Sequence, residues 1–220
     1  CMVLAVPLFS AGGVGVYDVV WNSPSQNSLG SMPLGNGDIG ANVWVEPNGD
    51  LVLLLSKTDA FDDFARLLNI GRIRIQTDPA LVQPGAPFEQ TLNLQDGCID
   101  IEAGESTIRI WIDANHPVVQ VDMKHTAPVT AKASVELWRT ETRMLDRVLT
   151  RRVAEENSAY GNFPDLRKVH PDVVLPHDGA SLAWSHHNTE SIWERNLRHT
   201  GLEAEIPKFC DPLLHRTFGA

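Results

Sequence analysis

Between Phe88 and Arg139 the chain repeats one arrangement: a short run of alternating polar and apolar residues, then a turn. FEQTLNLQ meets Asp96-Gly97, CIDIE meets Ala103-Gly104, STIRIWID meets Ala114-Asn115, PVVQVDMKH meets Thr126-Ala127-Pro128, and VTAKASVELWR closes the series. Period-two alternation sends successive side chains to opposite faces of an extended chain, and the Gly, Asn and Pro between runs reverse its direction. The pattern therefore predicts a meander of antiparallel strands in a mainly β protein, an antiparallel β-sandwich. Ile108, Ile110 and Ile112 fall on one face and Arg109 and Trp111 on the other, so the second face is at least partly solvated.

Upstream, PLGNGDIGANVWV sets Gly35, Gly37 and Gly40 at the G-x-G-x-x-G spacing of dinucleotide-binding loops. That spacing grips a pyrophosphate only where a strand precedes it and a helix begins inside it. Residues 22–31 are rich in Ser, Asn, Pro and Gly, and the chain after the glycines reads as strand, Pro47-Asn48-Gly49-Asp50 turn and strand. The glycines are then backbone geometry, allowing positive φ and close approach where the loop enters a β-hairpin. Next, Phe61, Phe64, Ala65 and Leu68 recur at helical spacing, with Thr58 or Asp59 as cap and Asp62 and Asp63 in a first turn, which predicts a short helix or an ordered loop. Arg72-Ile73-Arg74-Ile75 returns to strand alternation.

Residues 140–183 are a long Pro-rich, His-bearing connection with a helical stretch around Met144 to Ala154. SIWERNLRHTG then carries a capping box from Ser191 to Glu194 and a stop at Gly201, which predicts one helix starting near Ser191. The closing DPLLHRTFGA shows neither strand nor helix pattern. Ile192, Trp193, Leu197, Phe209, Leu213 and Leu214 are too many apolar side chains to leave in water, and the sandwich pattern is complete before them, so they call for another surface.

With 18 Lys and Arg against 28 Asp and Glu the net charge is −10, and no basic cluster interleaves with aromatics, which argues against a nucleic-acid partner. Cys1, Cys98 and Cys210 fit neither a disulfide framework nor a zinc knuckle and read as buried free thiols. The apolar run Met2 to Phe9, followed by Ser10-Ala11-Gly12, reads as the end of a secretory signal or as an ordinary first strand; it is too short to span a bilayer.

Asp, Asn and Trp around turns suit sugar recognition, where they bind hydroxyls and stack on rings. Asn36, Asp38, Asn42, Trp44, Asp59, Asp62 and Asp63 are the candidates, although the same residues serve as ordinary turn, cap and core positions. His170, Asp172, His177, Asp178, His186 and His187 could ligate a metal, but their spacing matches no metal motif, so none is assigned. Neither a G-x-S-x-G elbow nor a cofactor loop is present, and 28 acidic residues leave a glycosidase pair unselectable.

The stretch MPLGNGDIGANVWVEPNGDLVLLLSKTDAF resembles the opening of the N-terminal β-supersandwich domain of bacterial proteins related to glycoside hydrolase family 95, the α-L-fucosidase family, which carry P-x-G-N-G-x-x-G-A before a strand and turn. SKTDAF, GRIRI and the terminal DPLLHRTFGA are similar to a separate branch of these proteins found in bacteria and plants. In that branch W-x-H-x-N-x-x-S leads into the helical part, matched here by Trp184, His186, Asn188 and Ser191, with His187 in place of an arginine. With the apolar run read as a signal remnant over 1–13, the resemblance implies a sandwich over 14–183 and a helical linker over 184–220 opening an α/α toroid. The toroid would carry the catalytic acid and base, so no catalytic residue is carried over. It implies a secreted or periplasmic carbohydrate-active protein, with the downstream helical domain and glycans as partners. Asn36, Asp38, Asn42 and Asp59 from the turns, with His186 and Asn188 of the matched stretch, are the carbohydrate or interface candidates, and the glycine loop is a candidate for the interface with the toroid. An independent carbohydrate-binding module and a purely structural sandwich remain the alternatives.

Overall fold

The computed structural model describes residues 13–144, 168–176, 179 and 181–220. Strands β6 (Phe88–Asn93), β7 (Cys98–Ala103), β8 (Ser106–Ile112) and β9 (Val119–His125) form the expected antiparallel meander, and β1 (Val19–Trp21) pairs outside β6. Register follows the apolar alternation: Ile99 lies opposite Ile110 and Ile101 opposite Ile108, and all four are buried. Between them Thr107 and Arg109 are exposed, so the outer face is solvated as the sequence indicated.

The second sheet has the order β10-β5-β4-β3-β2, built from β2 (Met32–Gly35), β3 (Ile39–Val45), β4 (Leu51–Phe61), β5 (Leu67–Asp78) and β10 (Thr130–Glu136). The last run of the repeat thus leaves the meander and becomes an edge of the other sheet. Alternation identifies a strand but does not choose its neighbour. Two contacts mark the sandwich: β2 lies against β7 and β8, and Gln90 Nε2 of β6 donates to the Val43 carbonyl of β3 at 3.2 Å.

The glycine spacing resolves as proposed, without a helix. Gly35 ends β2, Gly40 sits in β3, and Gly37 between them holds φ at +92°, a conformation that other L-residues adopt only under strain. The Asn48-Gly49 hairpin is tight, with Glu46 N donating to Asp50 O at 2.9 Å. The helix considered over Phe61 to Leu68 does not form. Asp62 captures the chain instead: its carboxylate accepts from Phe64 N at 3.1 Å and Arg66 N at 2.9 Å, making a turn from β4 into β5. A short acidic side chain that bonds nearby amides competes with the helix ladder, and here it wins.

The described chain divides into two compact units of interleaved segments. Of the described residues the first comprises 13–36, Ala41–Val52 and Ile75–Lys132, the second Gly37–Gly40, Leu53–Arg74 and those from Ala133 onward. Val43, Trp44, Val45, Leu51, Ile99 and Ile110 lie in the core of the first. In the second, β14 (Trp184–His187) pairs with β13 (Val173–Val174) and β15 (Thr217–Gly219), and β11 (Arg143–Met144) pairs with β12 (Lys168–Val169).

The second unit corrects several expectations. Ile192 and Leu213 bury against Phe64, and Phe218 against Ala60 and Ile70, so part of the apolar surface that called for a partner is covered within the unit. Phe209 and Leu214 remain 64% and 38% exposed. The terminal stretch contains a strand, β15, because a three-residue strand is too short to show a period. The expected helix runs Trp193–His199, two residues later than Ser191, whose Oγ accepts from Trp193 N at 3.0 Å; Glu194 pairs with Arg198 at 2.5 Å. Met144 is in a strand, and the rest of the helix expected to Ala154 lies outside the described residues. Cys98 is buried but Cys210 is exposed, against the expectation for it. Cys1 and the apolar run Met2 to Phe9 are outside the described residues, among which no helix is long and apolar enough to cross a membrane.

Candidate functional site

The W-x-H-x-N-x-x-S residues converge in the second unit. Along β14 the strand period sends Trp184 and His186 inward and His187 outward. Trp184 Nε1 donates to the Ile70 carbonyl at 2.6 Å, and its ring lies so close to Gly71 that a Cβ there would sit 2.8 Å from Cζ2. Asn188 Nδ2 ties the carbonyls of Phe61, at 2.9 Å, and Leu213, at 3.0 Å.

His186 lies flat against Phe218, centroids 5.1 Å apart and planes 24° from parallel. Its Nδ1 is 3.0 Å from Asp172 Oδ1 and its Nε2 is 3.6 Å from Asp63 Oδ2, an ion-pair distance beyond hydrogen-bond length. Arg139 clamps Asp172 with two contacts of 2.8 Å and donates to the Asn69 carbonyl, also at 2.8 Å. Asp63 Oδ1 accepts from Thr189 N at 2.7 Å and Glu190 N at 2.9 Å. The side chains of Asp63, Asp172 and His186 are each 1% exposed and that of Arg139 3%.

Two carboxylates thus alternate with an imidazole and a guanidinium, the arrangement that lets charges remain out of water. Burial works to lower the pKa of His186, but Asp172 and then Asp63 outweigh it and raise it to about 9. Burial likewise works to raise that of Asp63, yet His186 and the Glu190 amide hold it below the usual carboxylate range. His186 is therefore an imidazolium at neutral pH, with both ring nitrogens facing carboxylates and no exposed face. A general acid or base must reach the proton that it moves. The cluster, with its side chains buried, joins the β4–β5 turn, residues 139 and 172, and β14.

Asp172 and His186, singled out as metal-ligand types, do come together, but as an ion network. Among the described residues no group of three or more His, Cys, Asp and Glu is placed to hold a metal ion. His170 instead lies 3.0 Å from Glu190 and His187 2.7 Å from Thr217 Oγ1; His177 and Asp178 are outside the described residues.

The second unit also holds an open cavity of about 830 Å³, lined by Lys57, Asp59, Phe61, Trp193, Asn196 and Arg216 among others. Lys57 Nζ bridges Asp38 at 2.6 Å and Asp59 at 2.8 Å, and its hydrogen bonds to these two carboxylates, that to Asp38 first, raise its pKa. The carbohydrate candidates therefore separate. Asp38 and Asp59 meet at Lys57 on the cavity; His186 and Asn188 are sealed in the network and its neighbouring turn. Asn36 donates to the carbonyls of Asp113, at 2.8 Å, and His116, at 3.1 Å, in the first unit, where Asn42 is exposed on β3 and Trp44 is core. Asp62 and Asp63 are buried structural groups.

Sequence reasoning missed Lys57, Arg139 and Arg216. Period-two spacing over Lys57 and Asp59 places both on one face and could have found the first. Arg139 closes the last alternating run, which does not report what its side chain meets, and Arg216 stands in a stretch without a pattern. Compared with known families, residues 20–220 match the model of a domain of unknown function (DUF5703), and no curated protein matches the chain.

Proposed function

The chain belongs to that family, and from this premise we propose that it is the noncatalytic β-sandwich domain of a secreted or periplasmic glycoside hydrolase whose catalytic groups lie in a downstream helical domain. One observation carries the noncatalytic part. The densest ionisable cluster is sealed from water, whereas the open cavity presents, among the described residues, a single carboxylate, Asp59, already paired with Lys57. Glycoside hydrolysis needs two carboxyl groups facing each other across the scissile bond. The cavity's aromatic walls, Phe61 and Trp193, and its polar groups, Asp59 and Asn196, suit a sugar's ring face and hydroxyls. The resemblance over residues 32–61 and the N-terminal apolar run support the carbohydrate and export parts of the proposal. Exposed Leu202 and Phe209 offer apolar surface to the downstream domain. The same cavity favours the second reading, an independent carbohydrate-binding module.

The test is to incubate the chain with aryl glycosides and, separately, with a panel of glycans. The expected outcome is binding without turnover. Turnover that disappears in Asp59→Asn would overturn the noncatalytic assignment.

A further inference from the structure

We infer that the cavity of the second unit takes an acidic sugar, a hexuronate unit of a glycan, with its carboxylate on Arg216 and its ring on Trp193. This deepens the carbohydrate proposal above and rests on it. Acidic side chains outnumber Lys and Arg by 28 to 18, so a cation near the surface ordinarily finds a partner. Arg66, Arg72, Arg74, Arg109, Arg139 and Arg198 each pair with a carboxylate. Arg216 lines the cavity, is exposed, and its guanidinium has no hydrogen-bond or ion-pair partner among the described residues. Its planar fork of donors matches a carboxylate.

Lys57 is compensated twice over, by Asp38 and Asp59, and Asp59 is 70% exposed. The cavity therefore has a cationic group in Arg216 and an anionic one at Asp59. A dianion such as a phosphate monoester would be repelled by the second. A monoanionic ring that also carries hydroxyls satisfies both, placing its carboxylate on Arg216 and donating hydroxyl hydrogens to Asp59, with Asn196 as a further partner. Trp193 and Phe61, the latter 37% exposed, supply apolar faces for the ring.

Backbone strain points to the same place. Among the described residues the non-glycine positions with positive φ are Ala65, at 59°, which lines the cavity, and His215, at 60°, which directly precedes Arg216. Strain of this kind persists where the surroundings over-determine it, and it gathers at binding sites.

Calorimetric titration of the chain with trigalacturonate, its methyl ester and a neutral trisaccharide tests the inference, with Arg216→Gln beside the unmodified protein. Arg216 is exposed and makes no side-chain bond to a described residue, so the variant should melt at the same temperature. Trigalacturonate should bind, and the methyl ester or the Arg216→Gln change should each weaken it by roughly tenfold or more, the worth of a charge-assisted hydrogen bond. Equal binding of the acid and its ester, or no effect of Arg216→Gln, would overturn the acidic assignment and leave the carbohydrate reading standing. No binding of any saccharide, acidic or neutral, would overturn both.

Discussion

At the centre of the first unit, Ile99 faces Ile110 and Ile101 faces Ile108 across neighbouring strands of one meander. At the centre of the second, Asp63, Arg139, Asp172 and His186 meet from four separated segments, every one of them charged and nearly without exposure. Apolar burial is non-directional and tolerant, so the meander needs only the right alternation. A buried ion network works differently: removing one member strands the charge of another. The first unit should therefore absorb small changes that the second cannot.

The largest expected effect is Arg139→Ala. It leaves Asp172 buried with His186 alone and takes the donor from the Asn69 carbonyl, and it should cost about 3–5 kcal/mol in chemical denaturation. A cost below about 1 kcal/mol would mean that the network is not what holds this region.

An intermediate effect is expected from pH. The pKa of His186 is raised from 6.5 to about 9, so its stabilising contribution is complete below pH 6.5 and is lost as the pH rises through 9. That of Asp63 is lowered from 3.8, so its contribution is present above that value and is lost as the pH falls through the lower folded one. The melting temperature should peak between about pH 4 and 6.5 and decline towards 9. A melting temperature that climbs from 6.5 to 9 would break the comparison.

The smallest effect belongs to the first unit. Ile110→Val removes one methylene from a packed core and should cost about 0.5–1.5 kcal/mol, measured in the same denaturation assay. A larger loss than that of Arg139→Ala would reverse the ranking.

Legibility in the sequence divides along the same contrast. The strands between Phe88 and Glu136, the Asn48-Gly49 turn and the helix after Ser191 were visible because alternation, turn chemistry and capping are local signals. The sheet joined by β10 was not visible, since alternation carries no information about the neighbour. Phe61, Phe64, Ala65 and Leu68 imitated a helix because nothing in their spacing reports the amides that Asp62 captures. His186 and Asn188 were flagged by resemblance for sugar or interface contact, yet the structure buries both; a motif marks positions without saying whether they face ligand or core. Asp59 lines the cavity and Asp38 pairs with Lys57 on its wall, whereas Arg216, its cation without a partner among the described residues, stood in a segment without periodicity.

The central claim is that the polar heart of the second unit is a sealed, charged network that holds structure and leaves ligand contact to the cavity. NMR of the His186 ring nitrogens across a pH titration of the folded chain tests it most directly. The expected result is a doubly protonated ring at pH 7 that titrates near 9, undisturbed by added saccharide. A ring that is neutral at pH 7, or whose signals shift as a saccharide binds, would contradict it.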